Sequence, residues 1–184
     1  ERGDNIYVVD MVGYEGTKTE AINNAKSRNT SYAATYWPWL QVQDPETGKQ
    51  VWVPASTLIP GVYAYTDRVS NSWNAPAGIS RGGLSTVLRA KMKLSEANKT
   101  ELYDNNINPI NTFPRKGIVV FGQKTLQKEA SALDRIGVRR SLLELKSYIG
   151  QVADNLVFEQ NTASTRNKFL SEINPYLEVI QQKG

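Results

Sequence analysis

Cysteine and histidine are both absent from the 184 residues of this chain. Without cysteine there is no disulfide, no thiolate nucleophile, no Cys-ligated zinc and no iron–sulfur cluster. Without histidine there is no Ser-His-Asp triad, no imidazole acid–base pair and no His-ligated metal. Carboxylates, lysine, tyrosine and serine are the whole catalytic repertoire that remains. No apolar run approaches the roughly 20 residues that cross a bilayer, so no membrane insertion is expected. Glu1-Arg2-Gly3-Asp4 is charged and polar and does not read as a secretory leader. With no initiating Met, the chain reads as a cut or processed piece of a longer one.

The apolar fraction is 40% and the charged fraction 22%, ordinary for a globular domain. The length suffices for one domain with a single core. The net charge of +4 is uneven. Eleven basic and eleven acidic residues cancel up to Pro114, and from Arg115 onward eleven basic residues face seven acidic ones. A basic final third could meet an acidic partner, although a solvated mixed surface also accounts for so small an excess.

Ile6-Tyr7-Val8-Val9-Asp10 reads as a short buried strand ending in a carboxylate, and Thr17 to Lys26 as a helix with Thr17 or Thr19 near its start. Ser31 to Val42 reads as a strand interrupted at Pro38. Strand, helix, strand at this spacing predicts a βαβ unit and a parallel sheet. Asp44-Pro45-Glu46-Thr47-Gly48 is turn chemistry between two alternating flanks, which predicts a hairpin. A helix is expected to open at Pro54 or Pro60 and run to about Val69, followed by a loop from Asn71 to Gly83. Leu84 to Ala90 reads as a strand or short turn, Ser95 to Asn105 as a capped helix, and Gly117 to Gly122 as a buried strand. Val138, Leu142, Leu145, Ile149, Val152 and Leu156 step by four and three, the cleanest amphipathic helix in the chain. Thr165 to Gln182 is a second helical stretch, kinked or split at Pro175. The pattern predicts an α/β fold: a mixed, mainly parallel sheet with flanking helices and one β-hairpin, ending in long C-terminal helices.

Few constellations point to chemistry. Asp10 stands at a strand end, where capping a turn or pairing with arginine is the favoured reading. Asp4, Asp10, Asp44 and Asp67 do not have the spacing of a metal loop. Trp37, Trp39, Trp52 and Trp73, with Tyr32, Tyr36, Tyr63 and Tyr65, make the middle of the chain aromatic. Base stacking would need a basic surface there, and this half is neutral, so core and interface packing is expected instead. Asp134-Arg135-Ile136-Gly137-Val138-Arg139-Arg140 places three arginines beside one carboxylate. Such a cluster suits bidentate contacts within a subunit or across an interface, or it is a solvated surface.

Several segments together resemble the C-terminal core of contractile tail sheath proteins. They are Tyr32-Ala33-Ala34-Thr35-Tyr36-Trp37-Pro38-Trp39 with Val51-Trp52-Val53-Pro54-Ala55-Ser56, Ile59-Pro60-Gly61-Val62-Tyr63-Ala64-Tyr65-Thr66-Asp67, and Ser72-Trp73-Asn74-Ala75-Pro76-Ala77-Gly78-Ile79-Ser80-Arg81-Gly82. Further along come Leu102-Tyr103 with Asn106 to Ile110, Val120 to Thr125, Ala132 to Arg140, and Phe158 to Asn161 with Thr165-Arg166. The order and rough spacing are the family's, and the segments span nearly the whole chain.

The resemblance implies a structural subunit rather than an enzyme. Such a subunit polymerises helically around an inner tube and contracts to drive the tube through a target envelope, in phage genome ejection or contractile injection. It implies that residues 1–184 form a single α/β core domain, with other domains before it and a strand-forming arm after it. No cofactor is expected. The implied partners are other copies of the chain, the inner tail tube protein, and baseplate and tail terminator proteins. The implied location is the virion, after assembly in host cytoplasm. Arg166 and Lys168 fall where the family's tube-facing helix would be and are candidate tube contacts. Asp134, Arg135, Arg139 and Arg140 are candidate intersubunit or bracing salt bridges. A nucleic-acid-binding module and a carboxylate-dependent α/β enzyme are the alternatives.

Overall fold

The structure is a computed structural model and describes residues 3–183. Two sheets organise it. The first has the strand order β1 (Tyr7–Val8), β2 (Ala33–Trp37), β6 (Ile107–Phe113), β7 (Gly117–Val120). Its first two pairings are parallel and the last antiparallel. The second sheet is antiparallel, with β3 (Leu40–Gln43) between β4 (Gln50–Val53) and β5 (Val87–Ala90). Five helices complete the order: α1 (Lys18–Lys26), α2 (Ile59–Val69), α3 (Glu96–Asp104), α4 (Ile136–Asp154) and α5 (Ala163–Lys183). No helix is long and apolar enough to cross a membrane among the described residues.

Local chemistry places most of these boundaries. Thr17 is the residue that starts α1: its hydroxyl accepts from Glu20 N, while the Glu20 carboxylate accepts from Thr17 N at 2.8 Å. Those hydrogen bonds hold the Glu20 carboxyl below its usual range, the backbone donor first. The β3–β4 turn is tied by Asp44, whose carboxylate accepts from Glu46 N and the Thr47 hydroxyl, and Gly48 closes it at φ 67°. A short 3₁₀ turn over Ala55–Thr57 precedes α2, and Pro60 sits in the first turn, where a missing N–H costs nothing. Asn106, at φ 62°, reverses the chain after α3, a conformation asparagine tolerates. β2 ends at the cis Trp37–Pro38 bond, and the chain then enters the second sheet.

The pleat divides the core in two. Ala34 and Tyr36 on one face of β2 meet Ile59, Val62 and Tyr63 of α2 and Ile136 of α4. Ala33 and Trp37 on the other face meet Ala21, Ile22 and Ala25 of α1 and Leu102 of α3. Helices therefore cover both faces, as a buried parallel pair requires. Tyr36 and Tyr63 join hydroxyls at 2.7 Å inside the first of these layers. Burial pushes the Tyr63 phenol up to about 12. Burial, then repulsion from Tyr63, raises Tyr36 well above its ordinary value.

The sequence pattern does not show β6. Asn108, Pro109 and Asn111 break its apolar run, yet it is the strand between β2 and β7 and forms a second hairpin with β7. Pro109 stands in register with Trp37 of β2 and accepts from Phe121 N at 2.9 Å, so the proline costs only the return hydrogen bond at the end of the β7 pairing. Asn108 is fully buried and fully used. Its Nδ2 donates to Thr35 O at 3.0 Å and Lys124 O at 2.8 Å, and its Oδ1 accepts from Lys124 N at 2.7 Å. Gly122 makes room for it: a Cβ there would lie 2.7 Å from Asn108 Oδ1 and 3.0 Å from its Cα. The helix over Ala163–Lys183 runs through Pro175 as one element, so of the two expectations at that proline the split does not occur.

Two outcomes are expected. Gly122→Ala overpacks Asn108 and lowers stability by about 1–3 kcal/mol, read as a lower urea midpoint at unchanged slope. The two raised phenols stabilise the fold fully below the ordinary tyrosine value of 10.0 and lose that contribution as pH rises through the folded values, about 12 for Tyr63. Urea midpoints followed into the alkaline range should fall less steeply for the paired variant Tyr36→Phe with Tyr63→Phe, which has no such protons to lose.

Candidate interaction site: the arginine cluster and the C-terminal helix pair

The start of α4 is held from two sides. Thr125 N donates to Asp134 O at 2.8 Å, and Ile136 N donates to Gln123 O at 2.8 Å, which straps residues 132–136 to the segment that Asn108 anchors. On the other side Gly137 lies against the Trp73 backbone, where a Cβ would stand 2.6 Å from Trp73 O. With its start fixed, the helix aims its arginines at three different parts of the same chain.

Arg135 pairs with Asp134, Nε to Oδ1 at 3.1 Å, and its Nη1 donates to the Tyr103 hydroxyl of α3 at 2.7 Å. Arg139 is 7% exposed, stacked 4.0 Å over the Tyr32 ring, and donates from Nη2 to the Ser31 hydroxyl. It has no carboxylate partner among the described residues, and its Nε is buried without a hydrogen bond. Cation–π attraction is what this charge has instead. Arg140 donates from Nη2 to both oxygens of Asp67 on α2, at 2.6 Å each, and lies 4.7 Å from the Tyr63 ring centroid. Its side chain is 10% exposed against 46% for Asp67, so the pair is covered from one side only. The sequence puts three arginines beside Asp134, but among the described residues the Asp134 carboxylate pairs with the adjacent Arg135 alone. The carboxylate for Arg140 comes from Asp67, 73 residues earlier, a partner no local pattern reveals.

The other aspartates are dispersed. Asp10 caps the 3₁₀ turn through Ser56, both N and Oγ. Asp44 belongs to its own hairpin turn, and Asp4 accepts from Asn5. No group of three carboxylates able to hold a metal ion occurs among the described residues. The aromatics divide likewise. Trp37 is in the core, whereas Trp39 and Trp52 pack on Tyr14, flanked by Arg89 and Lys91.

The C-terminal helices present more surface than they bury. Thr162 starts α5 by accepting from Thr165 N at 3.2 Å. The helix packs on α4 through Tyr148 and Tyr176, whose rings stand 4.1 Å apart. The Tyr176 hydroxyl donates to Glu144 at 3.1 Å, and its phenol is raised, by burial first and then by that carboxylate. Of the α5 side chains only Ile173 is buried. Of the six residues read as the apolar stripe of the preceding helix, only Val152 is buried, and Leu142 is exposed. Arg166 and Lys168 are exposed. Arg166 donates to Asn161 Oδ1 at 2.8 Å, and the Lys168 ammonium has no partner among the described residues.

Comparison with known proteins gives this surface a context. Residues 2–126 match the model of the phage tail sheath protein central domain. The chain is 38% identical over 172 residues to the tail sheath protein of Vibrio phage KVP40, covering 94% of this chain and 26% of that protein. It is 33% identical over 171 residues to the tail sheath protein of Enterobacteria phage T4, covering 93% and 26%. It thus spans about a quarter of the length of these relatives. Among solved structures it is similar to the sheath complex of the extracellular contractile injection system PVC in its contracted state. That match has a TM-score of 0.83 and 26% identity over 100% of this chain and 51% of the other. It is also similar to the contracted helical sheath of the anti-feeding prophage, with a TM-score of 0.73 and 30% identity over 97% and 46%. The shared fold, the ordered motifs and these identities agree: this chain belongs to the phage tail sheath protein family.

Proposed function

We propose that this chain is the α/β core of a contractile sheath subunit. Many copies assemble helically around an inner tube, and their re-packing drives that tube through a target cell envelope, in phage genome ejection or contractile injection. The observation that carries the reading is the likeness, along the whole chain, to a sheath subunit in the contracted state. In such a machine the energy is stored in the assembled conformation and released when subunits gain contact, so the working parts are surfaces and no catalytic centre is required. Baseplate and tail terminator proteins are the partners at the two ends. The particle's place is the virion, with assembly in host cytoplasm. Electron microscopy of the full-length product tests this: sheath-like tubes or polysheath are expected, and dispersed globular particles alone would refute it.

Within this reading the arginines brace the body. A subunit that transmits force must move as one piece, and Arg135, Arg139 and Arg140 connect α4 to α3, to the start of β2 and to α2. Asp67→Asn leaves a nearly buried guanidinium without its carboxylate and should destabilise the isolated chain by about 1–3 kcal/mol in urea. An intersubunit role would leave the isolated chain unchanged and show only in assembly.

The exposed cations of α5 are the tube contacts in this proposal. Arg166→Glu with Lys168→Glu should weaken sheath–tube co-assembly while leaving the stability of the chain unchanged, because both side chains are exposed. Unaltered co-sedimentation with tube and unaltered contraction would remove the assignment.

A further inference from the structure

Two surfaces of this chain are complementary to each other and do not meet within one copy. The first is the turn between α4 and α5. Phe158 there is 101% exposed and Val157 64%, beside Asp154 and Glu159. No lysine or arginine occurs between Lys146 and Arg166, so this tip is acidic on a chain whose net charge is positive. Neither carboxylate forms an ion pair among the described residues. A fully exposed phenylalanine forgoes the favourable burial of its ring.

The second surface is a groove of about 1190 Å³ between α2, residues 79–93 and the β6–β7 turn. Buried Val62, Leu84 and Ile118 lie along its floor, and Tyr65, Ile79 and Leu88 are exposed at its edge. Arg68, Arg89, Lys93 and Lys116 also line it, and no carboxylate does. Arg68 lies over Tyr65 and Arg89 is held by Gln41, whereas Lys93 and Lys116 have no ion-pair partner among the described residues. The groove is far larger than the two tip side chains need, and no residue of the tip lines it in its own chain.

We propose that the Asp154–Glu159 tip of one copy seats in the basic groove of the next. Phe158 and Val157 fill the apolar floor, and Asp154 and Glu159 face Lys93 and Lys116. The inference rests on the sheath reading and deepens it by naming a contact between copies. Because knob and groove are different surfaces, the contact is heterologous. Repeated, it propagates an open array rather than closing a dimer. Arg166 adjoins the tip, donating to Asn161 and lying beside Leu156, so this contact and the tube contact would use neighbouring surfaces.

No cysteine lies in these 184 residues, so a cysteine pair placed here reports on this contact once any cysteine elsewhere in the full-length protein is replaced by serine. Full-length protein carrying Leu88→Cys is mixed with protein carrying Phe158→Cys, assembled, and oxidised. Both positions are exposed, so neither substitution threatens the fold. A disulfide-linked heterodimer is expected at about tenfold or more the yield of a control pair, Thr100→Cys with Phe158→Cys, because docking raises the local concentration of the partner thiol. A chain carrying both cysteines should give a ladder of oligomers. Lys93→Glu with Lys116→Glu should abolish the excess, and Asp154→Lys with Glu159→Lys in the partner should restore it. Sheath tubes that form without the excess link overturn the docking and leave the sheath reading standing; the groove then belongs to another segment or partner. No tubes from the unsubstituted protein overturn both.

Discussion

A single buried amide sets the frame on which the rest of this fold is built. Asn108 spends both of its N–H donors and its carbonyl on backbone groups of β2 and of Lys124, in the middle of the first sheet. Buried polar groups are tolerated only when satisfied, so this side chain can occupy one position and no other. It fixes Lys124, and residues 123–125 in turn hold residues 134 and 136, where α4 begins. The direction of α4 determines where its arginines reach. Gly122 and Gly137 are the clearances this chain of contacts needs, because a side chain at either would strike backbone or the amide itself.

The consequence is a body whose layers are cross-linked by charge and aromatic rings as well as by apolar packing. Arg140 touches Asp67 and Tyr63, and Tyr63 shares a hydrogen bond with Tyr36 on β2, so one network links α4, α2 and the sheet. Surface ion pairs contribute little by themselves. Here the guanidinium is mostly covered, and losing its partner would leave it desolvated. A body held in this way resists shear between its layers.

The C-terminal helix pair is the opposite case. Beyond the first turns of α4 its apolar residues find few partners within the chain, and α5 leans almost wholly on α4. Such elements open at lower free energy than a core does. In a polymer, what a subunit leaves uncovered is what its neighbours can cover. The chain spans about a quarter of the length of the curated relatives it matches.

Much of this was legible in the sequence because it depends on neighbours along the chain. The capping residues Thr17 and Ser95, the Asp44 turn, the strand–helix–strand opening and the long amphipathic helix are all local chemistry. The order of the motifs also carried the family, which physics of composition could not. What stayed hidden depends on residues far apart. β6 reads as a broken, polar segment until Thr35 and Lys124 arrive to satisfy Asn108. Asp67 reads as an isolated carboxylate until α4 brings Arg140 to it. The sequence determined which segments can be helix or strand and that no imidazole or thiol chemistry is available. The tertiary structure alone decided which buried polar groups are paired and which apolar faces stay bare, because both depend on what a distant segment brings to the site once water has been excluded.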